Sequence, residues 1–275
     1  MSGKQTLRFV ELGLGSPGMG EITRDVPVEM PIAFEFAGLA YAVMMATPTD
    51  IEDYATGFAF AEGLIERADQ LTNITPAEVE GGIILRADLP QAGTETLRER
   101  LRLRLSEGSC GLCGLQGIEE ALRPLPSLVA QPKADGDAIT RALNDLPEHQ
   151  HLSRATGATH AAALCDASGA ILAVREDVGR HNALDKLIGH ALRTGIDMAA
   201  CFIVLTARCS YELVEKTVRA GCPLLVTISA PTTLAVERAR AAGLTLVTLA
   251  RRDTALIACD PYEIFAPEKE VCDGL

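Results

Sequence analysis

From residue 201 onward the chain repeats one unit: a short apolar run, a capping residue, an amphipathic helix, then the next apolar run. Residues 201–206 read as a buried strand, Ser210 caps a helix through Arg219, and residues 223–228 form the next strand. Thr232 or Thr233 then opens a helix through Ala241, and residues 244–249 form a third strand. Strands and helices that alternate with single short connections predict a parallel sheet with right-handed crossovers and helices on its faces. Ligands of such sheets bind beyond the carboxyl ends of the strands. Those ends are residues 206–210, 228–232 and 249–254.

Upstream of this repeat, residues 161–165 and 170–175 flank the turn Asp166-Ala167-Ser168-Gly169 and read as a hairpin. Asn182 can cap a helix whose Ala183, Leu184, Leu187, Ile188, Ala191 and Leu192 fall on one stripe, with Gly195 after its end. These elements make residues 136–275 one α/β domain. Residues 1–21 carry Gly13, Gly15, Gly18 and Gly20 and are expected to be a flexible arm. A small α+β domain is expected over 22–106. It has two strands from Val26 to Met45 turning at Ala37-Gly38, and a helix over 51–62 capped by Asp50 and ended by Gly63. A strand at 82–86 follows, then an extended edge strand in which Leu97, Leu101, Leu103 and Leu105 alternate with Arg98, Arg100, Arg102 and Arg104. Residues 107–135 read as a mobile loop and a linker punctuated by Pro124, Pro126 and Pro132.

Composition excludes several classes of function. With 48% apolar and 23% charged residues over 275 positions the chain is globular rather than disordered. Its net charge of −12 argues against a general nucleic-acid binder, because that affinity comes from Lys and Arg neutralising phosphates. The longest apolar stretches, 199–207 and 223–228, fall far short of the ~20 residues that cross a bilayer. The first eleven residues lack a basic stretch followed by an apolar one, so a cytoplasmic location is expected. There cysteines stay reduced unless they are catalytic or bind metal.

Six of the eight cysteines are scattered singly; Cys110 and Cys113 form the one CxxC, flanked by Gly108, Gly111 and Gly114. Three readings compete for it. A zinc knuckle needs a second Cys/His pair, which Cys165, Cys201, Cys209, Cys222, Cys259 and Cys272 do not supply. A thioredoxin-like pair opens a helix after a strand near the N-terminus, unlike this mid-chain position. The third reading is sulfur chemistry on an exposed loop, where a thiolate can visit several partners.

Polar motifs gather at the predicted strand ends. Arg175-Glu176-Asp177-Val178-Gly179-Arg180-His181-Asn182 follows a strand and opens a helix, which suits an anion such as phosphate or equally an ion-paired turn. Thr156-Gly157-Ala158-Thr159-His160 is ambiguous in the same way. Arg208-Cys209-Ser210-Tyr211-Glu212, Ser229-Ala230-Pro231-Thr232-Thr233 and the Arg251-Arg252 pair occupy three successive strand ends. Their alignment on an acidic chain suggests a phosphate-bearing ligand.

At these residues the sequence resembles the FdhD family of formate dehydrogenase accessory sulfurtransferases. The segments that carry the resemblance are Met44-Met45-Ala46-Thr47-Pro48, Gly57-Phe58 with Glu62-Gly63, Cys110-Gly111-Leu112-Cys113-Gly114, Thr156-Gly157 with His160-Ala161-Ala162, residues 175–186, residues 208–212, and residues 229–236. The resemblance implies a cytoplasmic, usually dimeric protein of α/β fold, a cytidine deaminase-like three-layer sandwich with a largely parallel sheet, plus a small N-terminal α+β domain. It implies a sulfur carrier that accepts persulfide sulfur from a cysteine desulfurase and passes it to the bis(molybdopterin guanine dinucleotide) molybdenum cofactor, bound as substrate with no permanently held metal, for formate dehydrogenase. The persulfide-bearing residue maps to Cys110, with Cys113 assisting or resolving. The cofactor segment maps to Leu249, Ala250, Arg251, Arg252, Asp253 and Thr254, where Leu249, Arg252 and Thr254 depart from the family's usual pattern. Arg180, Arg208 and Ser229 are further candidates for holding the cofactor's phosphates. A deaminase activity is excluded because the zinc-binding H-x-E and P-C-x-x-C pattern is absent. A CxxC thiol-disulfide oxidoreductase and a non-catalytic cofactor chaperone remain as alternatives.

Overall fold

The computed structural model describes residues 2–14, 19–106 and 124–265. The glycine-rich start is a β-hairpin where a flexible arm was expected. β1 (Lys4–Leu12) pairs antiparallel with β2 (Met19–Pro27), in register from Lys4 opposite Pro27 to Leu12 opposite Met19. Alternation of Leu7 and Phe9 with Thr6 and Arg8 gives β1 the period of a strand, a signal that the nearby glycines obscure.

A four-stranded sheet follows, built from β3 (Met30–Phe36), β4 (Leu39–Ala46), β5 (Thr72–Val79) and β6 (Gly82–Asp88) in the order β4-β3-β6-β5. The predicted turn joins β3 to β4, with Ala37 and Gly38 both at positive φ (50° and 75°), as a two-residue hairpin loop requires. β5 had no counterpart in the sequence reading because Pro76 interrupts its pattern; as an edge strand it tolerates the missing donor. One face is covered by α1 (Ile51–Ala61) and α2 (Gln91–Ser106). Few aromatics are available to the chain, and five of them meet here: Phe34, Phe36, Tyr41, Tyr54 and Phe58. Phe34 stacks on Phe58 with ring centroids 4.1 Å apart and meets Tyr54 edge-on at 5.1 Å, while Phe36 lies alongside.

Helix α2 replaces the extended strand expected around residues 97–105. Leu97 and Leu101 are four apart and share a helical stripe as readily as they alternate, and burying Leu97 completely against the β3–β6 sheet decides between the two periods. Arg100 then pairs with Glu62 at 2.6 Å. Asp50 does precede α1, but in the left-handed region (φ 52°) and with no side-chain cap bond.

The rest of the described chain is an α/β unit. In order come α3 (Gly136–His149), α4 (His151–Thr156), β7 (His160–Asp166), β8 (Ile171–Asp177), α5 (Arg180–Thr194), β9 (Cys201–Leu205), α6 (Tyr211–Arg219), β10 (Leu224–Thr227), α7 (Thr233–Ala242), β11 (Thr245–Thr248) and β12 (Leu256–Cys259). The sheet order is β12-β11-β10-β9-β7-β8. Only the β9–β10 and β10–β11 pairings are parallel; β7–β8, β7–β9 and β11–β12 are antiparallel. The sheet is therefore mixed rather than largely parallel, because the β7–β8 hairpin and the added β12 flank a three-stranded parallel centre. Helices α5, α6 and α7 pack on one face through Leu184, Leu187, Leu213 and Ala239, and α3 packs on the other through Ile139, Ala142 and Leu146. No helix of the described residues is long and apolar enough to cross a membrane.

Candidate functional site

The carboxyl ends of β8, β9, β10 and β11 and the start of β7 lie along one edge of the six-stranded sheet, since β7 runs antiparallel to β9. His160 at the start of β7 places its Nδ1 2.9 Å from the Thr206 carbonyl oxygen just past β9, and Thr206 Oγ1 accepts from the Ala161 amide at 2.7 Å. Cys209 bridges to Pro231 beyond the next strand, with its amide on Ala230 O at 3.2 Å and its carbonyl accepting from Thr232 N at 2.9 Å. These bonds extend the sheet past its regular strands.

Residues 249–254 are knit to the same edge. Leu249, at φ 49°, donates its amide to Ser229 O at 3.3 Å, and the buried Ala250 donates to Thr227 O at 3.1 Å. Arg251 closes a turn through its amide on Thr254 O at 2.7 Å, while its Nη1 donates to the carbonyls of Ile228 and Ala250. Arg252, Asp253, Thr254 and Arg208 project into solvent. Along this edge lie the 249–254 turn beyond β11, Ser229 beyond β10, Arg208 beyond β9 and the start of α5 beyond β8.

Helix α5 opens at this edge with Gly179 as its N-cap and no side chain capping its first turn. A Cβ at Gly179 would lie 2.6 Å from Asn182 Nδ2, so a side chain there would have to displace the Asn182 amide. Arg180 Nε is buried and has no hydrogen-bond partner among the described residues. Beside it, His181 Nε2 sits 2.8 Å from Glu212 Oε2 and 3.2 Å from Ser210 Oγ. The hydrogen bond from His181 holds the Glu212 carboxyl below the usual range. Ser210 occupies the N-cap position of α6 but turns its hydroxyl to His181 instead of capping. An anion at the helix N-terminus would meet Arg180 first and the α5 dipole behind it.

Most of the 175–186 run does something else. Asp177 is fully buried and accepts from the Thr47 amide (3.0 Å), the Gly179 amide (2.8 Å), Asn182 Nδ2 (2.9 Å) and Lys186 Nζ (2.7 Å). Lys186 also donates to Thr47 O at 2.8 Å; burial pushes its pKa down, opposed by Asp177. Asn182, expected as a helix cap, is instead inside α5 and joins Met45 O to the Tyr54 hydroxyl. Arg175 reaches Asp53 with Nε at 2.9 Å and Nη2 at 2.7 Å, and Arg193 adds a further bond to Asp53 at 2.7 Å. Glu176 accepts from the Leu152 and Ser153 amides at 2.7 Å each, tying β8 to the start of α4. This replaces the local ion-paired turn weighed from sequence, with Arg175 pairing to Asp53 and Asp177 to Lys186. It joins the four-stranded sheet with its helices to the α/β unit, and leaves Arg180 and His181 as the residues of the run facing the strand-end edge.

Cys110 and Cys113 lie outside the described residues, as does Cys272. The five described cysteines are buried free thiols. Burial pushes Cys209 and Cys222 up to about 12 and shifts Cys165, Cys201 and Cys259 upward as well, which suppresses their thiolates. Among the described residues no group of three His, Cys, Asp or Glu is placed to hold a metal ion. Asp53, Thr47 and His190, which complete the buried junction, carried no short-range signal, because each meets its partners across more than a hundred residues of sequence or through a residue that itself does so.

Comparison with known proteins agrees over nearly the whole length. The FdhD/NarQ family matches residues 27–265. The sulfur carrier protein FdhD of Variovorax paradoxus (strain S110) is 44% identical over 239 residues, covering 87% of this chain and 86% of that protein. The sulfur carrier protein FdhD of Agrobacterium fabrum (strain C58) is 44% identical over 238 residues, covering 86% and 87%. A crystal structure of a protein assigned as a formate dehydrogenase accessory protein, from Desulfotalea psychrophila, superposes with a TM-score of 0.74 at 23% identity, covering 95% of this chain and 99% of that one. A match of this extent, spanning both sheets and the CxxC between them, makes the chain a member of the FdhD/NarQ family.

Proposed function

We propose that the protein is a sulfur carrier in formate dehydrogenase maturation, with Cys110 as the residue that bears the sulfur. The observation that carries this reading is the family match over residues 27–265, which includes Cys110 and Cys113, to relatives named as sulfur carriers. The five buried thiols add support by elimination among the described cysteines: none has the exposure or thiolate character that sulfur exchange needs.

In this reading the Cys110 thiolate attacks the outer sulfur of a persulfide on a cysteine desulfurase. A new S–S bond forms, the donor's S–S bond breaks, and the desulfurase cysteine leaves as a thiolate, with no net change in oxidation level. Attack by Cys113 on the inner Cys110 sulfur then forms a Cys110–Cys113 disulfide and releases the outer atom as sulfide toward the molybdenum of the bis(molybdopterin guanine dinucleotide) cofactor, which is substrate here. A reductant of the thiol class returns the pair to its starting state.

The strand-end edge suits the phosphates of that cofactor. Arg180, Arg208, Arg251 and Arg252 supply cations, Ser229 and the 249–254 turn supply backbone and hydroxyl donors, and the N-terminus of α5 adds its dipole. The cytidine deaminase-like assignment of the fold belongs to the same proposal, supported by the β12-β11-β10-β9-β7-β8 order with helices on both faces. A cytoplasmic homodimer completes it. The test is complementation of a bacterial strain lacking its own FdhD: the chain restores formate dehydrogenase activity and Cys110→Ala does not. Full restoration by Cys110→Ala would favour a chaperone that carries no sulfur.

A further inference from the structure

The β1–β2 hairpin exposes apolar side chains on both faces: Leu7 and Phe9 (39 and 41% exposed) on one, and Val10, Leu12 and Met19 (64, 61 and 76%) on the other. A two-stranded hairpin is only marginally stable in water unless something packs on it; α4 packs against part of β2 and leaves these side chains exposed. The register assigns its two faces, because residues directly opposite one another project to the same side. Val26 with Gln5, Leu7 with Arg24, Phe9 with Ile22, and Glu11 with Gly20 form one face. The other face is polar near its base, where Lys4 and Thr6 both bond Asp25, the latter at 2.6 Å, and apolar toward the connection in Val10, Leu12 and Met19.

The first face is apolar at its centre and oppositely charged at its ends. Arg24 lies one row to one side of the Phe9–Ile22 row, and Glu11 lies one row to the other. A two-fold axis running across the strands at Phe9–Ile22 sets the Leu7/Arg24 row of one copy over the Glu11/Gly20 row of the other. Phe9 and Ile22 then pack on their own equivalents, and two symmetry-related Arg24–Glu11 pairs close the ends. Gly20 has open space where a Cβ would be, which leaves room for the incoming Arg24. Packed sheet faces lie ~10 Å apart, a gap that Arg and Glu side chains span together. Self-complementarity of this kind is what an isologous interface requires.

We propose that this hairpin face is a homodimer contact, docking on the same face of a second copy. The proposal rests on the homodimer reading above and assigns it a surface. One hairpin face is small beside the interfaces of permanent dimers, so the association it drives depends on concentration.

The test is sedimentation velocity over a concentration series of the full chain and four variants: Phe9→Glu, Arg24→Glu, Glu11→Arg, and the combined charge swap. Wild type self-associates, and Phe9→Glu raises the dimer dissociation constant at least tenfold. Each single charge reversal weakens association, and the combined swap returns it to within about twofold of wild type, a recovery that misfolded variants cannot show. A dimer of unchanged strength in Phe9→Glu and in both single reversals would move the interface elsewhere and leave the homodimer reading standing. A wild type that sediments as a monomer throughout would remove the homodimer reading together with its surface.

Discussion

Gly57 of α1 and Gly189 of α5 let the two helices touch backbone to backbone: a Cβ on Gly57 would lie 1.7 Å from the Asp185 carbonyl oxygen, and one on Gly189 1.9 Å from the Asp53 carbonyl oxygen. Neither contact can be relieved by rotating a side chain, so either substitution must push the helices apart. Overpacking of this kind costs about 1–3 kcal/mol or more. Gly57→Ala and Gly189→Ala are each expected to lower the midpoint of urea unfolding, with the double variant less than additive because one separation relieves both clashes. An unchanged midpoint in either single variant would contradict the close crossing.

Lys186 and Asp177 are both fully buried and paired at 2.7 Å. Removing one partner leaves the other charge unpaired, which typically costs about 3–5 kcal/mol. Lys186→Met is therefore expected to destabilise the chain severely in chemical denaturation. Lys186→Met combined with Asp177→Asn is expected to be less damaging than the sum of the single changes, since no charge is left unpaired and the one amide oxygen can keep the Gly179 and Asn182 bonds made by Oδ1 while the Thr47 bond to Oδ2 is lost.

His190 Nδ1 accepts from Arg175 Nη2 at 2.7 Å, which requires a neutral ring at that nitrogen. Burial and the positive charge of Arg175 lower its pKa from 6.5, against the pull of Asp53. A depressed histidine pKa means that the unfolded chain binds more protons than the folded one as pH falls, so stability is retained above 6.5 and lost progressively below it. Thermal unfolding followed between pH 7.5 and 5 is expected to show this loss. His190→Gln is expected to flatten the slope over that range, and an unchanged slope would exclude His190 as its source.

Arg180 carries a buried Nε with no hydrogen-bond partner among the described residues, at the uncapped start of α5. If the strand-end edge holds nucleotide phosphates, Arg180→Ala removes a charge-assisted contact worth about 1.5–3 kcal/mol. Calorimetric titration with guanosine diphosphate is expected to show binding weakened roughly 10- to 100-fold, with the unfolding midpoint nearly unchanged. Equal binding by Arg180→Ala would place the phosphates elsewhere.

What could be read from the sequence was local. The turns at Ala37-Gly38 and Asp166–Gly169 and the strand–helix succession from Cys201 follow from short patterns whose physics is contained within a few residues. Where two periods fitted the same side chains, tertiary burial decided: Leu97 and Leu101 entered the core from a helix. The β1–β2 hairpin is not legible locally because glycines near its connection mask the alternation of Leu7 and Phe9. The 175–186 run shows the deeper reason. Its charged residues answer partners such as Thr47 and Asp53, more than 120 residues away, and no local rule distinguishes a buried junction from an anion site when both are written in Arg, Asp and Asn.

The central claim is that Cys110 carries sulfur, and intact-protein mass spectrometry after incubation with a cysteine desulfurase and cysteine tests it most directly. The account predicts a gain of one sulfur atom that thiol reductant removes, lost in Cys110→Ala and retained in Cys165→Ala. A chain that gains no sulfur even in Cys113→Ala, which cannot resolve the adduct, or that gains sulfur equally in Cys110→Ala, would contradict it.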